Sequence, residues 1–182
     1  MRVVYERLLE KLSEKGIRCK LIAIGRSALS FYKVNKAKST MDIDFEITEF
    51  EGKIEELQTV LDELGIRADY GEDIDRWGVV PLPAGYRDRA VNVLKRGGAE
   101  LYVLSPVDFI ISKLRRGTQE DWEDAIDVAF AENIKPEEIR EVLKLIKPIR
   151  DVQFFHFLKR LERFLEELQR AYNLSNDPKR VP

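Results

Sequence analysis

Two neighbouring stretches constrain this chain most. Leu21-Ile22-Ala23-Ile24 is an apolar run that breaks into the small-residue turn Gly25-Arg26-Ser27-Ala28-Leu29. Shortly after it, Thr40-Met41-Asp42-Ile43-Asp44-Phe45-Glu46-Ile47 alternates acids with apolar residues. Side chains on a strand point to opposite faces in turn. Asp42, Asp44 and Glu46 therefore share one face, and Ile43, Phe45 and Ile47 the other. Like charges aligned on one face repel. A divalent cation reverses that penalty, because Mg²⁺ takes oxygen ligands, commonly one or two carboxylates together with substrate phosphates. The bland alternative is a solvated face whose acids hinder edge-to-edge aggregation.

The turn before the acids has its own chemistry. Gly25 lets the backbone approach a phosphate closely, and amides at the start of the following helix can bind the anion. Ser27 supplies a hydroxyl and a candidate helix cap, and Arg26 can pair with phosphate oxygens. An ordinary strand–helix turn with a serine cap has the same residues.

Composition bounds the rest. A chain of 182 residues with 44% hydrophobic and 35% charged residues has ample apolar material for one core plus an appendage. Scarce Asn and Gln beside abundant Lys, Arg and Glu suggest a thermophilic source. The net charge of −2 gives no global field for nucleic acid, so any such contact needs a local patch. Cys19 is the only cysteine, which excludes an internal disulfide and fits a reducing compartment. The segment Met1–Arg7 lacks a signal-peptide pattern, and no apolar run has membrane-spanning length. A cytoplasmic protein without membrane contact is expected.

Periodicity gives a helix over 3–15 ended by Gly16, a buried strand over 19–24, a short helix over 27–35 and the acidic strand over 42–48. Thr48 is placed to cap a helix over 51–64 that stops at Gly65. A strand follows near 66–70, and strands over 89–95 and 100–104 flank Gly97-Gly98. Ser105-Pro106 opens a helix that Gly117 breaks, and Thr118 restarts one to about 131. Pro136 opens another to about 147, and a long helix over 151–172 precedes a polar, frayed tail. The expected class is α/β, a mixed α+β sheet core over 1–132 with a C-terminal helical segment over 133–182. Aromatic Phe154, Phe155, Phe157 and Phe164 spread around the last helix. One face can pack on the core, and the rest imply a second contact, most simply a homodimer.

The paired stretches, with Ser105-Pro106-Val107-Asp108, Lys113, Arg115-Arg116 and Asp121-Trp122-Glu123-Asp124 downstream, resemble the nucleotidyltransferase fold of the DNA polymerase β superfamily. The resemblance is closest to small prokaryotic families that include toxins of abortive-infection type toxin–antitoxin pairs, and it covers roughly 18–130. It implies a Mg²⁺ cofactor on Asp42 and Asp44, and a nucleoside triphosphate cradled by Gly25, Arg26 and Ser27. Lys113 would contact the triphosphate, and Asp121 would complete the catalytic set. The activity implied is transfer of a nucleoside monophosphate to a hydroxyl of RNA, a protein or a small molecule, with release of pyrophosphate. The alternative is a catalytically silent binding module or a toxin–antitoxin component with a co-encoded partner.

Two departures matter. Arg26 stands where many members have a second glycine. The third carboxylate has no unambiguous equivalent: Asp73 and Asp75 fall in an unassigned region, and Glu46 lies on the right face at the wrong depth. Thr118 and Asp121 also have capping-box spacing, so Asp121 can simply cap its helix. Asp124 can pair with a neighbouring base. Lys33, Lys36, Lys38, Arg87, Arg89, Arg115 and Arg116 can hold a polyanion such as tRNA, or can be solvated. His156 is expected to pack. No Cys/His zinc cluster and no P-loop occurs.

Overall fold

A computed structural model describes residues 1–34 and 42–175. Its frame is a five-stranded mixed sheet, formed by β1 (Arg18–Ile24), β2 (Asp42–Glu51), β3 (Arg67–Gly71), β4 (Val91–Arg96) and β5 (Ala99–Val103) in the order β3-β2-β1-β5-β4. The central β1 runs antiparallel to β2 and parallel to β5, while β2 and β3 are parallel. The helices are α1 (Arg2–Glu14), α2 (Ile54–Leu64), α3 (Pro106–Arg116), α4 (Gln119–Ala131), α5 (Pro136–Leu143) and α6 (Val152–Ser175). The mixed α/β class expected from the sequence is thus the class observed.

The acidic strand obeys its alternation. Ile43, Phe45 and Ile47 are buried, and Phe45 stacks on Tyr70 of β3 with ring centres 5.4 Å apart. The alternation stops at Thr48, which is the extra residue of a bulge opposite Lys20 and Leu21. Its hydroxyl donates to the Lys20 carbonyl. Thr48 therefore belongs to β2 and caps no helix. α2 instead starts after Lys53, whose backbone N–H donates to the Glu56 carboxylate at 2.8 Å.

The short helix expected over 27–35 is a tighter 3-10 helix, Arg26–Phe31. Lys36, Lys38, Thr40 and Met41 lie outside the described residues, as does the tail beyond 175. The two capped starts are as read from the sequence. Ser105 Oγ accepts from the Asp108 N–H, and Thr118 Oγ1 accepts from the Asp121 N–H. α5 stops at Leu143, four residues before the expected end, and α6 begins one residue later than expected and runs past 172.

Packing gives α6 its orientation. Phe157, Leu161, Phe164, Leu165 and Leu168 recur at helical spacing and are buried, while Phe155 on the opposite side is 54% exposed. Arg160 fixes the helix to the end of α3 by donating to the Leu114 and Arg115 carbonyls. Among the described residues no helix is long and apolar enough to cross a membrane.

Candidate functional site

The site begins with Gly25, the last residue before the 3-10 helix. Its φ of 61° and ψ of −157° belong to a region that is essentially open only to glycine. A Cβ built there would lie 2.2 Å from Asp44 Oδ2. The glycine is therefore what lets the end of β1 pass against the Asp44 carboxylate.

Behind it, Ser27 and Tyr5 hold the same strand by its backbone. Ser27 Oγ is buried and accepts from the Asp44 N–H at 3.2 Å, and it lies 2.9 Å from the Ile24 carbonyl. Tyr5 Oη lies 2.8 Å from Ser27 Oγ and 3.1 Å from the Asp44 carbonyl. Two hydroxyl protons thus serve three contacts, all internal. Ser27 positions Asp44 in this geometry and points no hydroxyl toward a ligand.

Asp44 faces a cleft of about 520 Å³ whose wall includes Gly25, Asp69, Lys113, Arg116 and Asp121. Asp42 is on the same strand face, with its Oδ1 2.9 Å from Arg67 Nε. Asp69 is a residue the sequence reading missed. The parallel β2–β3 register sets it directly beside Asp44, on the same face. Burial, and then the charge of Asp69, raise the Asp44 carboxyl above its ordinary range, although Arg116 and Lys113 pull the other way.

The acids considered earlier for the third position have other tasks. Glu46 is fully buried and accepts from the Tyr86 hydroxyl, the Arg87 guanidinium and the Ile74 N–H. Asp73 accepts from the Asp75 N–H at the start of a short helical turn, and Asp75 pairs with Arg115.

The opposite wall is basic but internally neutralised. Lys113 is 3% exposed and lies between two buried carboxylates, 3.2 Å from Asp121 Oδ1 and 2.8 Å from Asp124 Oδ2. Arg116 holds Asp121 with two hydrogen bonds of 2.7 and 2.6 Å. Burial works against the charge of Asp121. The bonds from Arg116 and Thr118 and the nearby Lys113 charge outweigh it and hold its carboxyl well below the usual range. Asp121 thus caps α4 and fixes Lys113 at once. Arg26 reaches back from the turn to Asp124 at 3.3 Å and Glu120 at 3.0 Å. Arg116 is the cation most open to a ligand, its side chain 68% exposed at the cleft.

Gly25, Asp44, Lys113 and Asp121 therefore meet at one cleft, whereas Arg26, Ser27 and Asp42 are not part of its described wall. Arg89 is 19 residues before Asp108 and forms a two-bond pair with it, at 2.9 and 2.8 Å, so it fastens the start of α3 and does not reach the cleft.

Among the described residues no three His, Cys, Asp or Glu side chains converge to hold a metal unaided. Asp44 and Asp69 nevertheless offer hard oxygen donors side by side. That donor set fits a Mg²⁺ ion that completes its shell with phosphate oxygens and water. The apolar Ile24, Val79, Val80 and Leu104 line the same cleft, whose size suits a nucleotide-sized ligand.

The family described as "Nucleotidyltransferase of unknown function (DUF6036)" matches residues 2–170 of this chain. Among solved structures, an antigenic nucleotidyltransferase-like protein from Paracoccidioides brasiliensis is similar over 93% of this chain and 90% of that chain, at 15% identity and a TM-score of 0.49. No curated protein matches.

Proposed function

Since this chain belongs to the DUF6036 family of nucleotidyltransferases of unknown function, we propose that its cleft binds a nucleoside triphosphate with Mg²⁺ and transfers the nucleoside monophosphate to an acceptor hydroxyl. The observation that carries the reading is the Asp44–Asp69 pair held against Gly25, facing a basic wall across one cleft. Bound Mg²⁺ would supply charge neutralisation on the phosphates and on the oxygens that enter and leave.

The chain's own residues divide the remaining work. Asp44 and Asp69 hold the cation, and Asp42 joins them if Arg67 turns aside. Arg116 gives its outer donors to the phosphates, as guanidinium forks do well. Lys113 contributes field more than contact, because Asp121 and Asp124 already accept its hydrogen bonds. Gly25 and Ser27 keep Asp44 in place.

A second reading has one specific observation in its favour. Arg26 and Lys113, the two cations expected to hold the triphosphate, are both engaged in internal ion pairs, as expected of a silent module that keeps the fold. Incubation with each labelled triphosphate, total RNA and total protein separates the two. Mg²⁺-dependent labelling that disappears in Asp42→Asn/Asp44→Asn supports transfer. A wild type that labels nothing, even with a co-encoded partner protein as in toxin–antitoxin pairs, supports the silent module.

A further inference from the structure

Cations on this surface are mostly paired. Lys15, Lys20, Lys95 and Lys144 each sit 2.5–2.6 Å from a glutamate, and Arg2, Arg140 and Arg170 pair along their helices. The segment from Lys147 to Arg163 is different. Lys147, Arg150, Lys159 and Arg163 are exposed, and none lies within ion-pair distance of a carboxylate among the described residues. Among the described residues Arg7, Lys53 and Arg96 are exposed without an ion pair too, but they stand singly on separate elements, whereas this segment gathers four such cations against the two acids Asp151 and Glu162.

Apolar and aromatic groups share that place. Val152, His156, Lys159 and Arg163 follow one another at spacings of four, three and four, and Phe155 stands four before Lys159, so the five form one outer stripe on α6. Val152 is 65% and Phe155 54% exposed, both facing away from the buried stripe. Lys159 Nζ lies 4.5 Å from the centre of the Phe155 ring, and the Arg163 guanidinium lies 5.5 Å from that of Trp122. The stripe spans about 17 Å at the rise of an α-helix. Its first turn adjoins the cleft, because Gln153 lines the cleft wall and Arg160 ties α6 to the carbonyls beside Arg116.

We propose that this stripe and the preceding Lys147–Arg150 turn bind a single-stranded polynucleotide and lead its end toward the cleft. Unpaired cations attract the phosphates, and the exposed Phe155 ring gives an unstacked base a platform. Duplexes present no free base faces to such a ring. The direction toward the cleft rests on the nucleotidyl-transfer reading, but the binding itself does not.

The test is fluorescence anisotropy with a labelled single-stranded oligoribonucleotide of about 12 residues, alongside the same sequence as DNA and as a duplex. Lys159→Glu/Arg163→Glu should weaken single-strand binding about tenfold or more at low salt and flatten the salt slope by about 1.4. Phe155→Ala should weaken it about fivefold and leave the salt slope unchanged. All three side chains are exposed, so circular dichroism should show folded variants. A wild type that ignores the single strands, variants that bind as wild type, or a duplex bound as tightly as the single strand would each overturn the proposal. Capture on anionic vesicles in place of oligonucleotide would overturn it too. Titration of Mg²⁺ and triphosphate is measured separately on the same proteins, so a failure of nucleotide binding leaves the anisotropy result standing.

Discussion

Asp69 lies directly beside Asp44 across the parallel β2–β3 pair, on the face that opens into the cleft. With burial, that adjacency raises the Asp44 carboxyl above its ordinary value. The sign for stability follows from linkage. A carboxyl whose folded value exceeds its unfolded one favours folding while protonated, and ionising it costs stability as pH rises through the raised value. Asp44→Asn should therefore stabilise the metal-free protein at neutral pH by about 0.5–1 kcal/mol, the scale of a like-charged cross-strand pair. Urea denaturation near neutral and at acidic pH checks it. The gain should shrink as the pH falls toward the ordinary carboxylate value.

Gly25→Ala should disable the cleft while the core persists. Its Cβ would fall on Asp44 Oδ2, and alanine disfavours the φ of 61°. A stability loss of about 1–3 kcal/mol is expected, with metal-dependent nucleotide binding lost altogether. Thermal melts with and without Mg²⁺ and triphosphate should show a lowered midpoint that ligand no longer raises.

Asp121 has the opposite pH signature. Its carboxyl is held low, so its contribution is present above the unfolded value and is lost as pH falls through the depressed folded value. Asp121→Asn should cost about 3 kcal/mol at neutral pH, because it leaves Lys113 and Arg116 short of a buried partner. The gap from wild type should narrow on acidification below the ordinary aspartate range. A gap that does not change with pH would point to the lost cap alone.

Arg89→Ala probes the scaffold apart from the site. Asp108 is fully buried, and Arg89 and the Ser105 hydroxyl supply its side-chain bonds. Removing the guanidinium should cost about 3 kcal/mol and leave triphosphate affinity unchanged once the variant is folded.

What could be read from the sequence was local. Alternation placed Asp42 and Asp44 on one face, and cap spacing located Ser105 and Thr118 at helix starts. These signals lie within a few residues of one another. Asp69 was missed because it sits in a five-residue strand, and its partner is fixed only by the register of β3 on β2. A hint was present, since Arg67 and Asp69 alternate with Ala68 and Tyr70. The burial of Lys113 was equally invisible, because its neighbours come from the next helix. Ser27 had the residue type of a phosphate ligand, yet Tyr5 from α1, distant in sequence, claims its hydroxyl.

The most direct test of the account is calorimetric titration of a non-hydrolysable triphosphate into wild type, Asp44→Asn and Asp69→Asn, each with and without Mg²⁺. Asp69 is exposed on β3 and Asp44 is only partly buried, so both variants should fold. The account predicts Mg²⁺-dependent binding by wild type and a loss of about tenfold or more in each variant, the effect ascribed to a lost charged contact of about 1.5–3 kcal/mol. Equal, metal-independent affinity in all three proteins would contradict it.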